Sequence, residues 1–120
     1  MKAITAPTLT TTSTTNLPAA VKRYLAAANR FDALVAADCF TDDAAVYDED
    51  HDCVGRDAIR GWVAETSSKF HPAFTVMRSV VYGDDVTLAV AVSGRFPGSP
   101  VTLDYMIQLC DGKILLLTIV

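Results

Sequence analysis

The sequence has few of the residues that most cofactor, metal and redox sites require. Only 3 of its 120 residues are cysteine, they are widely spaced, and no C-x-x-C occurs. This pattern argues against a disulfide framework or a zinc site and predicts reduced thiols that serve as packing residues. The chain also lacks a P-loop and a G-x-G-x-x-G pattern, so we expect it to work without a cofactor.

Basic residues are scattered singly, and the chain has 10 basic against 14 acidic residues, for a net charge of −4. This charge distribution favours neither nucleic acid nor an anionic membrane surface as a partner. No apolar run is long enough to span a bilayer. Lys2 is followed by a stretch rich in Thr and not by an apolar segment, so a secretion signal is not indicated. A cytoplasmic location is the resulting expectation.

Hydrophobic residues, by contrast, make up 51% of the chain, which is enough for one sizeable core. Residues 1–16 are Thr-rich and show no periodicity, and they are expected to form a flexible leader. Residues 17–120 are expected to form a single domain.

The hydrophobic pattern changes its period near Pro72. Before it, helical spacing predicts a helix that starts at Asn16 and Pro18, a short one at 32–40 with Asp32 as its N-cap, and a third at 56–69. A short strand is predicted at 44–47 and a loop at 48–55. After Pro72, alternation predicts four antiparallel strands in sequence. Helices followed by such a meander indicate an α+β fold.

The last predicted strand, 114–120, is apolar on both faces. A sheet that is covered by helices on one side normally has a polar second face. The second apolar face therefore predicts a homodimer, in which a partner subunit covers it. The alternative is that the N-terminal tail or a helix of the same chain covers it.

Three segments in this order resemble the nuclear transport factor 2-like superfamily, in its SnoaL-like and ketosteroid isomerase-like branches. They are Arg23-Tyr24-Leu25 through Phe31-Asp32-Ala33-Leu34, then Phe40-Thr41-Asp42-Asp43-Ala44-Ala45-Val46-Tyr47-Asp48, and Gly55-Arg56-Asp57-Ala58-Ile59-Arg60. The closing Asp111-Gly112-Lys113-Ile114 is similar to the family's final hairpin. The resemblance implies a cystatin-like cone, in which three N-terminal helices pack on a strongly curved antiparallel sheet around a pocket for a small apolar ligand. It does not by itself imply a reaction, because the fold hosts many functions.

Tyr24 and Asp48 are the main candidates for catalysis. Tyr24 lies on the apolar face of the first helix, and Asp48 shares the parity of Val46 on the first strand. By resemblance to ketosteroid isomerase, Tyr24 matches the phenol that donates a hydrogen bond to the substrate oxygen, and Asp48 matches the general base. A carboxylate in an apolar pocket is a stronger base, and a buried phenol can stabilise an enolate while remaining neutral. In the purely structural interpretation, Tyr24 is a core packing residue and Asp48 caps a turn.

The isomerase has a second carboxylic acid on its penultimate strand, and here that place falls on Tyr105. The neighbouring Asp104 points to the opposite face, although a turn of different length would bring it into the matching position. The alternation of Leu103, Tyr105 and Ile107 favours Tyr105 as the inward residue, where it would be catalytic or simply a core residue.

The predicted pocket wall consists of apolar residues on several elements and one histidine. Trp62 lies on the inner face of the third helix, where it either lines the pocket or anchors the core. The segment 48–59 departs from an EF-hand calcium loop at its sixth and twelfth positions. No second His lies near His51, so no metal site is predicted. The predicted substrate-binding residues are Trp62, Phe40, Val90, Leu103, Ile107 and His51.

Two further functions stay open at this stage. One is a binding or dimerisation module without chemistry, which a filled interior would favour. The other resembles an epoxide hydrolase site, with two acids and an arginine around one water. Arg78, which has the parity of Phe74 and Val76, or else Arg95, would supply that arginine.

Overall fold

The computed structural model describes residues 17–49 and 51–120. The predicted leader at 1–16 lies outside these residues. The described residues form three helices and one six-stranded sheet, which confirms the predicted α+β architecture. The elements in chain order are α1 (Ala19–Asn29), α2 (Ala33–Asp38), β1 (Phe40–Asp48), β2 (His51–Val54), α3 (Arg56–Phe70), β3 (Ala73–Tyr82), β4 (Asp85–Ser93), β5 (Val101–Cys110) and β6 (Lys113–Ile119).

Local chemistry sets the helix ends. Asp32 caps α2 as predicted, since its Oδ1 accepts a hydrogen bond from the Val35 amide at 3.1 Å. The cap of α1 is Pro18, with no side-chain hydrogen bond. Asn29, at the end of α1, joins the helix to β3: its Nδ2 donates to Phe74 O at 3.1 Å, and its Oδ1 accepts from Phe74 N at 2.7 Å.

The sheet has the strand order β2-β1-β6-β5-β4-β3. Strands β3 to β6 form the predicted antiparallel meander, and β1 joins its end by pairing in parallel with β6. The loop predicted at 48–55 is wrong in part, because residues 51–54 form β2, antiparallel to β1. The pairing of Val46 with Cys53 places Cys53 in the core and explains why a stretch of polar residues becomes a strand.

A β-bulge in β3 changes which side chains face the helices. Val76 pairs with Val90 but Arg78 pairs with Ala89, so Met77 is the extra residue. Beyond the bulge the parity is reversed, and Val80 is exposed where an unbroken alternation would turn it inward. Arg78 is also exposed, so it does not point into the interior with Asp48.

The core lies between the helices and the inner face of the sheet. Its largest fully buried side chains come from β1, α3, β4 and β6, and burial of each stabilises the fold by about 1.5–3 kcal/mol. They are Phe40, Ile59, Leu88, Ile114 and Leu117. Cys39 and Cys53 are buried as predicted, whereas Cys110 is exposed because it lies on the outer face at the end of β5.

Candidate functional site

Asp48 lies at the end of β1 with its side chain on the inner side of the sheet. Along β1, Ala44 and Val46 are fully buried, and Asp48, two residues further on, is half-buried. Its Oδ1 accepts a hydrogen bond from the Glu49 amide at 2.8 Å. The carboxylate therefore stands at the boundary between the apolar interior and solvent.

Two buried phenols lie near this carboxylate. Tyr24 projects from the inner face of α1 and is 3% exposed, and Tyr105 projects from β5 and is 2% exposed. The Tyr24 ring meets the Phe40 ring edge to face, with centroids 5.4 Å apart.

Burial and charge keep both phenols neutral. Burial, and then nearby Tyr105 and Asp48, raise the pKa of Tyr24 well above its usual value. Burial and the Asp48 carboxylate likewise raise the pKa of Tyr105. Because the charge of Asp48 affects both groups, the three side chains belong to one electrostatic unit. In this state each phenol is a hydrogen-bond donor at any physiological pH.

The register of β5 decides between Asp104 and Tyr105. Tyr105 pairs with Leu88 and Ile119, both of which are buried, whereas Asp104 pairs with Ala89 and is exposed on the outer face. The inward residue is therefore Tyr105, as the alternation predicts. The place of the isomerase's second acid is thus occupied by a phenol.

A cleft of about 220 Å³ opens beside Asp48. His51, on β2, is exposed and lines this cleft. The sequence prediction missed the residues that α3 contributes to this cleft. Its full lining is Asp48, Glu49, His51, Glu65, Thr66, Lys69 and Phe70.

The chain is similar to known proteins in sequence and in fold. The profile of the SnoaL-like domain family matches residues 21–115. A protein of Sinorhizobium meliloti with the provisional name polyketide cyclase is 35% identical, with a TM-score of 0.87, over 91% of this chain and 100% of that one. The chain belongs to the SnoaL-like family.

More distant structures share the fold of this SnoaL-like domain. A Catenulispora acidiphila protein with a ketosteroid isomerase-like fold, solved with trimethylamine, is 20% identical, with a TM-score of 0.78, over 88% of this chain and 86% of that one. An NTF2-like protein of Cytophaga hutchinsonii is 15% identical, with a TM-score of 0.72, over 84% and 85%. No curated protein matches the chain.

The predicted wall residues of the SnoaL-like domain occupy three burial classes. Phe40, Val90 and Ile107 are buried in the core, Leu103 is half-buried, and His51 is exposed. Trp62 is 8% exposed, and its indole Nε1 has no hydrogen-bond partner among the described residues. Helical spacing from Trp62 was the signal for the missed residues, since positions 65, 66 and 69 follow it at i+3, i+4 and i+7.

The G-R-x-A-I segment of the SnoaL-like domain has a positioning role. Arg56 Nε donates to Phe40 O at 2.9 Å, and its guanidinium meets the Asp42 carboxylate at 2.7 Å. Gly55 precedes the helix with φ of 91°, a conformation that favours glycine. These contacts hold the start of α3 against the start of β1, the strand that ends in Asp48.

Three other clefts of the described surface lie away from the phenols. Two of them, of about 600 and 310 Å³, run along α2 and α3, and one of about 380 Å³ lies on the outer face of the sheet. None of the four clefts is lined by Tyr24, Tyr105 or Trp62. No group of three or more His, Cys, Asp or Glu within residues 17–49 and 51–120 is placed to hold a metal ion. The described helices also include none that is long and apolar enough to cross a membrane.

Proposed function

We propose that this SnoaL-like domain binds a small apolar carbonyl compound in its interior and moves a proton on it without a cofactor, as an isomerase, cyclase or dehydratase. The observation that carries the proposal is that two buried, neutral phenols both have a pKa raised by burial and by the charge of one half-buried carboxylate, Asp48. The provisional cyclase name of the Sinorhizobium meliloti relative agrees with this reaction class.

Each group has a distinct role in the proposed step. Asp48 takes a proton from the carbon next to the carbonyl, while Tyr24 and Tyr105 donate hydrogen bonds to the carbonyl oxygen. The negative charge that develops on this oxygen is stabilised by donors that are fixed in a dry environment, where such bonds are strongest. Asp48 then returns the proton to another atom of the same molecule, so no external acid or oxidant is needed.

Hydrogen–deuterium exchange tests this role without knowledge of the natural substrate. The protein is mixed with cyclohexanone in D₂O, and loss of the α-proton signals is followed by NMR. Replacing Asp48 by Asn should slow the catalysed exchange by about 10²–10⁴-fold, and Tyr24→Phe or Tyr105→Phe by up to about 10³-fold. Asp104→Asn is the matched control, because Asp104 is the sequence neighbour of Tyr105 but is exposed on the outer face. Equal rates for the Asp48→Asn and Asp104→Asn proteins would refute the assignment.

The second candidate is a binding or dimerisation module of the same fold that carries out no reaction. The observation in its favour is that none of the four clefts is lined by either phenol. Binding of cyclohexanone without any catalysed exchange would favour this candidate. The epoxide hydrolase-like alternative lacks an inward arginine at both candidate positions, since Arg78 and Arg95 are exposed.

We also propose that a second copy of the chain covers the outer face of the sheet. Strand register aligns Tyr47, Thr118, Met106, Thr87 and Val80 in one row across five strands. Three of them are large apolar side chains that are 37–41% exposed. An apolar row of this kind, beside a cleft of about 380 Å³, is typical of a face that a partner covers.

A further inference from the structure

Trp62 carries a buried polar group that the proposed proton transfer does not use. Trp62 is only 8% exposed, and its Nε1–H has no acceptor among the described residues. The aromatic contacts of those residues do not include the indole either, so no ring face serves as a substitute acceptor. A buried donor that lacks a partner destabilises the folded chain, and a bound acceptor would remove that penalty.

The position of Trp62 on α3 relates it to the ligand site. Thr66 lies one turn further along the same helix face and lines the cleft beside Asp48. Glu65, three residues after Trp62, lines that cleft too. Trp62 therefore lies one helical turn away from the cleft residue Thr66, on the helix that borders Asp48.

This wall differs from the one that carries the phenols. α3 packs on β1 and β2, whereas α1, which carries Tyr24, packs on β3 and β6, and Tyr105 lies on β5. Burial, and then Tyr105 and Asp48, raise the pKa of Tyr24, and in the proposed function both phenols donate to a single oxygen. The indole N–H, on the other wall, suits a different acceptor of the same molecule.

We infer that Trp62 is a ligand-binding residue whose Nε1–H donates a hydrogen bond to a second oxygen of the ligand. The inference rests on the proposed function, and it narrows the ligand class to small compounds with two separated oxygen functions, such as diketones, keto-esters and hydroxy-ketones.

Two ring compounds of the same shape test the inference. 1,4-Cyclohexanedione has two opposed carbonyl oxygens, and 4-methylenecyclohexanone keeps one and replaces the other by a methylene group. Because Trp62 is the only tryptophan, the full chain labelled with ¹⁵N-tryptophan gives one indole N–H resonance. The dione should move this resonance downfield, while 4-methylenecyclohexanone should move it much less. The Tyr24 and Tyr105 ring signals should respond to both compounds.

Trp62→Phe provides the second readout. It should weaken binding of the dione by about fivefold to tenfold relative to 4-methylenecyclohexanone, which is the effect of one neutral hydrogen bond. Because the two compounds have the same shape, the ratio of their affinities cancels the loss of packing that Trp62→Phe causes. The wild-type resonance measurement uses no variant, so it does not depend on whether a variant folds. Tyrosine signals that respond while the indole resonance moves equally with both compounds would overturn the role of Trp62 and leave the proposed function standing. If neither compound moves any of these signals, both proposals fail.

Discussion

Alkaline pH should destabilise this protein through Tyr24 and Tyr105. Both phenols are buried, and burial raises the pKa of each above its unfolded value of about 10. Below about pH 10 the folded and unfolded chains hold the same proton on each phenol, and the stabilising effect of the raised pKa is fully present. Above that pH the unfolded chain releases the proton and the folded chain retains it, so stability is lost as the pH rises.

The size of the effect follows from the number of protons released. Each phenol that stays protonated only in the folded state lowers the free energy of unfolding by about 1.4 kcal/mol per pH unit above pH 10. Between pH 7 and pH 11 this gives a loss of about 1.4 kcal/mol per phenol, or about 3 kcal/mol for the pair. The buried thiols Cys39 and Cys53 also have a raised pKa and add to the total loss, but they are the same in every tyrosine variant.

Urea unfolding at pH 7 and at pH 11 measures this loss. Tyr24→Phe and Tyr105→Phe should each reduce the pH-dependent loss by about 1.4 kcal/mol. At pH 7 the tyrosines are protonated in the folded and in the unfolded chain, so this pH-dependent loss is absent from wild type and from both variants. Tyr82→Phe is the control, because that ring is 67% exposed. A Tyr24→Phe protein that loses as much stability as wild type between the two pH values would refute the claim that its hydroxyl is shielded.

Three further predictions concern the framework and the outer face. Gly94→Ala should destabilise the fold by about 1–3 kcal/mol, because a Cβ would lie 2.7 Å from Phe70 O. Gly61→Ala, in open space on α3, should stabilise the fold by about 0.5–1 kcal/mol. Thermal unfolding of both variants tests this pair, and equal effects on stability would contradict it. Asn29→Ala should cost about 1 kcal/mol and speed hydrogen exchange at the Phe74 amide, which unchanged exchange would contradict. Met106→Glu should shift the protein from dimer to monomer in light scattering. Ala26→Glu, on the exposed surface of α1, should leave the dimer intact. A wild-type protein that is monomeric in the same measurement would refute the proposed dimer.

The sequence predicts those parts of the fold in which one local rule acts without interruption. Along β5 the alternation is regular where it passes Tyr105, and the inward position of Tyr105 follows directly. On β3 the same rule fails after Val76, because a bulge adds one residue. A bulge depends on pairing with the neighbouring strand, and nothing in the residues 76–78 marks it.

The candidate site shows the same limit. The inward positions of Tyr24 and Asp48 could be predicted from helical spacing and strand parity, because each lies on an element whose pattern is local, whereas their proposed roles rest on family resemblance. Strand β2 could not be found, since its polar residues have low strand propensity and form a strand only through pairing with β1. The cleft residues of α3 were missed for a related reason: they face a strand that the sequence analysis had assigned to a loop.

The hairpin of β1 and β2 also explains why one carboxylate and two phenols suit different parts of one reaction. Asp48 pairs with His51 at the open end of the hairpin, so its carboxylate is half-buried and borders the cleft. In the proposed step Asp48 returns the proton to the ligand, and its boundary position also lets the carboxylate exchange that proton with D₂O, as the exchange test requires. The proposed role of Tyr24 and Tyr105 has the opposite requirement, because a donor to a developing negative charge is strongest where water is excluded. The gradient from cleft to core therefore suits a proton-transfer group at the wet end and neutral donors at the dry end.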